Sequence, residues 1–327
     1  MSNPSATFTE MVTTTLRSVG KDLADNVSEH NALMRWMKDN GKIETISGGY
    51  EIQEPLMYAE NGTFERFSGY DQLNTSASDV LTSAKFDWKQ SALHVTASGR
   101  EIMQNSGKEA MKNLVKARKK VAMITGANNL SRDLYSTGAL ANQIGGLGNI
   151  IQTDGNGTVG GFNSATYSWW SNKYREMTGT NLAASPSAAN AASLKADMNA
   201  LWLSTTRGTD KPDLVMASND MYALYELGEQ QLQRYQSGKM AEAGFQSIRY
   251  KSAEVIHDEN TNFASTAEKM YFINCDYLKL KQHRDAQWTP DAEKRPTNQD
   301  AVVIPIYWMG ALCVSNRARQ GVLFDDA

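Results

Sequence analysis

The chain has 327 residues, 41% of them hydrophobic and 21% charged, which is globular composition with enough apolar mass for one or two cores. A formal net charge of -3 and a pI near 5.9 exclude the global basic field that holds a protein on nucleic acid or an anionic membrane. Residues 1–20 lack a basic stretch followed by an apolar one, and nowhere do about 18 apolar residues run together, so neither a secretory leader nor a membrane span is expected.

Val12, Leu16, Val19, Leu23 and Val27 recur at helical spacing, which predicts an amphipathic N-terminal helix. Ser28 is placed to cap a second short helix carrying Leu33, Trp36 and Met37, which Gly41 ends. Such an arm cannot bury its own apolar face; it must lie against the rest of the chain or against another molecule.

From Lys42 to Thr96 the period changes to two, in Tyr50, Ile52, Leu56 and Tyr58 and again in Val80, Ala84, Phe86 and Trp88. Between these strands, Ala59 to Ser78 is rich in Gly, Asn and Ser yet carries Phe64, Phe67 and Tyr70. The pattern predicts one extended hairpin with an aromatic tip, or two strands of an ordinary core sheet. A two-stranded hairpin is marginal by itself and must rest on something, for which a neighbouring molecule is the natural candidate.

Ser106 and Glu109 have capping-box spacing and predict the start of a long helix. Met111, Leu114, Val115, Ala122 and Ile124 supply its apolar side, and the pattern continues through Leu130 and Leu134. Gly126 inside it costs about 1 kcal/mol. Lys108, Lys112, Lys116, Arg118, Lys119 and Lys120 make 108–120 basic, either as a solvated face or as a surface for nucleic acid or an acidic partner.

The glycine-rich stretch Gly138–Gly161 marks a change of domain. Beyond it Leu194, Met198, Leu201 and Trp202 fit a helix and Pro212–Ala217 a short buried strand. Ser218, Asn219 and Asp220 cap a helix through Met221, Leu224, Leu227 and Leu232, and strands follow around Ile248–Ile256, Met270–Asn274 and Ala301–Ser315. The fold class is α+β.

Chemical signatures are weak. Gly155-Asn156-Gly157-Thr158-Val159-Gly160 fits GxGxxG, but it lacks the preceding strand and following helix that put a pyrophosphate on backbone amides, so a flexible loop is expected. GxxxxGK[ST], GxSxG and HExxH are absent. The four histidines, His30, His94, His257 and His283, have no ligand spacing; His257-Asp258-Glu259 suits a metal or acid-base cluster or, equally, a polar turn. Trp169-Trp170 reads as core or interface rather than a base-stacking platform, and Cys275 and Cys313 as buried thiols. No catalytic residue, cofactor or metal is expected.

Several segments in fixed order carry a resemblance. Ser47-Gly48-Gly49-Tyr50, Glu54-Pro55-Leu56-Met57-Tyr58-Ala59-Glu60-Asn61, Phe67-Ser68-Gly69-Tyr70-Asp71, Ser78-Asp79-Val80-Leu81-Thr82 and Phe86-Asp87-Trp88-Lys89-Gln90 come first. Gln104 to Glu109, Gly145-Gly146-Leu147, Gly157 to Gly161 and Ser315 to Gly321 follow. Over roughly residues 28–323 the chain resembles the major capsid proteins of tailed bacteriophages with the Hong Kong 97-type fold.

The resemblance implies an N-terminal arm at 1–41 and an extended β-hairpin loop at 42–98. It implies a peripheral domain from 99–139 and 276–327 with a spine helix at about 107–136, and an axial domain at 140–275. It further implies a structural, non-enzymatic protein of the virion, assembled in the bacterial host cytoplasm. Copies would form hexamers and pentamers of an icosahedral shell around double-stranded DNA, contacted non-specifically. A separate scaffolding protein or an already processed form is expected because the arm starts almost at Met1; a portal and a decoration protein are further expected partners. Phe64, Phe67 and Tyr70 are candidate assembly anchors, with Trp36 and Trp88. No lysine and asparagine can be matched to the crosslinks some relatives form. The alternative is a nucleic-acid-binding protein using the basic helix 108–120.

Overall fold

The structure is a computed structural model that describes residues 32–104, 108–178, 185–229, 247–262 and 267–326, the side chains of 104–114 and 247 excepted. The amphipathic stretch Val12–Val27, Ser28, the Ser106 and Glu109 capping box and Leu232 lie outside the described residues.

In chain order the first half comprises α1 (Ala32–Asp39), β1 (Ile43–Ile46), β2 (Ile52–Met57), β3 (Leu81–Phe86), β4 (Lys89–Ser98), α2 (Gly99–Gln104) and α3 (Lys108–Leu134). Then come α4 (Leu147–Ile150), β5 (Thr158–Val159), β6 (Phe162–Asn163), β7 (Lys173–Glu176), α5 (Ala188–Thr205), β8 (Leu214–Ala217) and α6 (Asn219–Glu229). The chain finishes with β9 (Ser247–Tyr250), β10 (Ala253–His257), β11 (Glu268–Ile273), β12 (Leu278–Pro290), β13 (Ala301–Val314) and β14 (Gly321–Asp325).

Both expectations for the alternating stretch hold, each for a different part of it. β2 and β3 form an antiparallel hairpin from Ile52 opposite Phe86 to Met57 opposite Leu81. The flanks leave it: β1 runs parallel to β12 and β4 antiparallel to β13, in a four-stranded sheet of order β1-β12-β13-β4. β12 escapes a hydrophobicity pattern because Lys279, Lys281, Gln282, His283 and Arg284 crowd it, with only Leu278 and Leu280 apolar at its start.

The second sheet has six strands in the order β7-β14-β11-β8-β10-β9. Every residue of β8 is buried because both faces of this sheet are covered. Val215 and Ala217 join Leu194, Met198 and Leu201 of α5 and Met221 and Leu224 of α6. Leu214 and Met216 point to the other side, into the main core with Leu33, Trp36 and Met37 of α1 and Leu130 and Leu134 of α3. Strand alternation thus divides one segment between two cores.

Gly126 is where the four-stranded sheet comes closest to α3. A Cβ there would lie 2.7 Å from Leu93 Cδ1 and 2.8 Å from the Trp288 ring. The glycine weakens the helix in isolation but lets β4 and the Trp288 indole approach it.

Candidate assembly surface

The hairpin has its own seat. Ile52, Leu56 and Ala84 are buried, Leu56 and Ala84 against the main core and Ile52 against Ala311 and Cys313 of β13. Lys281 of β12 forms an ion pair with Glu54 of β2 and lies 3.7 Å from Glu44 of β1, whose other oxygen pairs with Lys279. Burial opposes charge on Lys281, yet Glu54 and Glu44 outweigh it and hold its pKa above the ordinary lysine value. The Lys279 ammonium holds the Glu44 carboxyl below the usual carboxylate range.

The glycine-rich stretch completes this seat, contrary to the flexible loop expected. β5 and β6 pair across Gly160 and Gly161, whose φ of +60° and +84° suit the primed turn of a two-residue hairpin. The Gly160 carbonyl accepts the Lys85 amide hydrogen at 3.0 Å. Behind the turn, Arg317 is fully buried: Nε donates to the Ile150 carbonyl and Nη2 to that of Asn156, both at 2.6 Å. Desolvation brings its pKa down to about 10. Trp170 Nε1 donates to the Val159 carbonyl at 2.9 Å, and Trp169, Phe162 and Tyr167 pack edge-on around it. The tryptophan pair is therefore core, and the GxGxxG carbonyls are spent inside the fold.

Beyond the seat, residues 59–80 contain no regular strand and bond chiefly to themselves. Asn61 Oδ1 accepts from the Thr63 amide at 3.0 Å, Asp71 Oδ2 from the Ser68 amide at 2.8 Å, and Ser78 Oγ from the Gly62 amide at 3.3 Å. Such Asx and serine turns shape a loop without burying it. Phe64 is 79% exposed, Phe67 65% and Tyr70 fully. Burying an aromatic ring of this size is worth about 1.5–3 kcal/mol, so three together on a loop make an apolar patch whose burial is strongly favoured.

The other two nominated residues differ. Trp36, on the face of α1 shared with Leu33 and Met37, is 5% exposed and donates through Nε1 to Glu254 Oε2 at 3.0 Å. Its ring has no free face in this conformation. Trp88 is half-buried at the hairpin root, where Nε1 donates to the Gly49 carbonyl at 3.0 Å and the ring meets His283 edge-on at 5.8 Å. With Tyr307, Met309 and His283 it lines a cleft of about 740 Å³.

At the start of the helical region Ser98 and Glu101 form a reciprocal cap. The Glu101 amide donates to Ser98 Oγ at 3.2 Å and the Ser98 amide to Glu101 Oε2 at 3.0 Å. Ser98-x-x-Glu101 was legible as a motif, but it sits at a strand end where a helix start is not sought. Arg118 grips the same carboxylate and the Thr96 carbonyl, and its guanidinium, with the cap, holds Glu101 down to a pKa of about 2. Of the basic run, Arg118 is thus engaged within the chain, whereas Lys116 and Lys120 are exposed.

The rest of the chemistry is structural. Asp258 accepts from the Tyr135 hydroxyl at 3.0 Å and from the Asn260 amide, which makes the His257-Asp258-Glu259 segment a polar turn. Cys275 and Cys313 are buried free thiols whose pKa burial pushes up. Among the described residues no group of three or more His, Cys, Asp or Glu is placed to hold a metal ion, and no helix is long and apolar enough to cross a membrane.

No protein-family model and no curated protein sequence matches the chain. Solved structures do. The capsid of cyanophage A-1(L) superposes with a TM-score of 0.64 at 13% identity, covering 93% of this chain and 95% of that one. The capsid of Myoviridae phage XM1 gives 0.60 at 13% identity over the same shares. The SrpI encapsulin of Synechococcus elongatus PCC 7942 gives 0.56 at 8% identity, covering 93% of this chain and 91% of that one. The chain has the Hong Kong 97-type capsid fold of these proteins, end to end.

Proposed function

We propose that this chain is the major capsid subunit of a tailed bacteriophage, a structural protein that self-assembles as hexamers and pentamers into an icosahedral head around double-stranded DNA. The observation that carries the proposal is a hairpin seated at its root but ending in an exposed aromatic tip, on a fold shared over nearly its whole length with phage capsids. The fixed order of segments shared with phage capsid proteins favours a head over an encapsulin-type shell. Heterologous contacts repeated around a closed shell need only modest energy each, and a tip that orders by lying on the next copy couples assembly to loop position. The arm at 1–41, extended loop at 42–98, peripheral domain at 99–139 and 276–327 and axial domain at 140–275 are the division that this reading assigns. The virion is its place, reached by assembly in the host cytoplasm, with scaffolding, portal and decoration proteins as partners.

Electron microscopy of the expressed protein, alone and with lysate of the infected host, tests the reading. Capsomers, tubes or shells are expected. Protein that stays monomeric under every condition tried sinks it. A chain lacking Gly62–Ser76 should fold, because those residues contribute nothing buried, and should fail to assemble. Normal assembly of that deletion removes the hairpin from the interface. The rival use of helix 108–120 for nucleic acid predicts salt-dependent DNA affinity of the isolated subunit, measurable by filter binding.

A further inference from the structure

We infer that the hairpin tip of one copy docks on the basic face at 116–123 of α3 in a second copy. This rests on the shell-subunit reading and adds the receiving surface to it. The tip carries Glu60, Glu65, Asp71 and Asp79 against a single Arg66, and that guanidinium already lies over Phe64, 5.8 Å from the ring centroid. The acidic groups are therefore left for an outside partner. Six residues of β2 carry the tip roughly 20 Å from its seat, enough to reach past the subunit that holds it.

On α3, Lys116, Lys119, Lys120 and Met123 stand at helical spacing on one face. None of the four is buried, and among the described residues none of the three lysines has an ion-pair partner. Arg118 instead reaches Glu101 and the Thr96 carbonyl. Next to this face Val121 is 48% exposed, so the helix offers apolar contact as well as charge. An acidic, aromatic tip and a basic helix face with exposed apolar side chains are complementary in both respects, and the lysine stems can cover aromatic rings while their heads reach carboxylates. Phosphate would satisfy the lysines but gives no role to the aromatic residues.

Charge exchange tests the pairing. One variant carries K116E, K119E and K120E, a second E60K, E65K and D71K, and a third all six changes; thermal unfolding checks each subunit for folding. Sedimentation and microscopy at low salt read the assembled fraction. Each single-sided variant should lose roughly tenfold in that fraction, and the six-fold variant should return to within about threefold of the parent. A six-fold variant no better than either half, or a helix variant that assembles like the parent, overturns the inference. If the 62–76 deletion blocks assembly while helix reversal does not, the hairpin remains the interface and α3 is not its receiver. If helix reversal leaves assembly intact but abolishes DNA retention, the lysines face nucleic acid and the inference likewise falls. A parent chain that never assembles removes both readings.

Discussion

The Lys85 amide donates to the Gly160 carbonyl at 3.0 Å, across 75 positions of sequence, and so fastens the second strand of the extended hairpin to a glycine turn of the body. Gly160 has φ +60°, and a Cβ there would stand 2.8 Å from Ala84 Cβ. Gly160→Ala therefore meets a backbone cost and a collision together and should destabilise the subunit by about 2–3 kcal/mol in urea unfolding. Hydrogen exchange at Lys85 should accelerate. Adding Ala84→Gly should relieve the collision and leave the backbone share of the loss.

The ion pair between Glu54 and Lys281 is a second fastening, with both side chains largely shielded from water. Removing one partner leaves the other charge poorly solvated, so Glu54→Gln or Lys281→Met should each cost about 2 kcal/mol. The double variant E54Q/K281M should cost under about 1 kcal/mol, because neither charge is then stranded. Equal and additive losses in a double-mutant cycle would show that the pair contributes nothing as a pair.

These two fastenings mark the boundary of what the sequence discloses. Ile52, Leu56 and Ala84 announce a strand pair by alternation, and the tip announces itself by Asn, Gly and Ser around Phe64, Phe67 and Tyr70. Nothing local indicates that Glu54 will meet Lys281 or that Lys85 will meet Gly160, since each partner arrives from a distant segment. Trp36 shows the converse. As a large aromatic on a short helix it suits an interface, but Leu33 and Met37 share its face and take it into the core. The glycines at 155–161 have the composition of a loose loop, and only the buried Arg317 behind them makes them rigid.

Arg317 is accordingly the most sensitive single residue in the body. Its guanidinium satisfies two backbone carbonyls at 2.6 Å and approaches a third, that of Gly157, at 3.5 Å. Arg317→Met leaves these acceptors buried without donors and should cost about 3 kcal/mol or more. Arg317→Lys keeps the charge but loses the planar fork and should fall between, at about 2 kcal/mol. Chemical denaturation of the isolated subunit distinguishes them; a neutral Arg317→Met would mean that water replaces the guanidinium without loss.

Glu101 gives the subunit an acid-sensitive element at the junction of β4 and the helices. Its carboxyl titrates near 4.5 when unfolded and at about 2 when held by Arg118 and the Ser98 cap. The folded-state pKa is depressed, so the stabilisation is fully present above about pH 4.5 and is lost as pH falls toward about 2. Because Glu101 and Arg118 are partly solvated, the effect is of order 1 kcal/mol and weakens with salt. Other carboxylates titrate in the same range, so the useful quantity is the stability difference between the parent and Glu101→Gln. That difference should be constant from neutral pH down to about 5 and shrink toward zero near pH 2. A difference that persists undiminished at the acid end would mean that Glu101 acts through its cap geometry alone, with no share from its charge on Arg118.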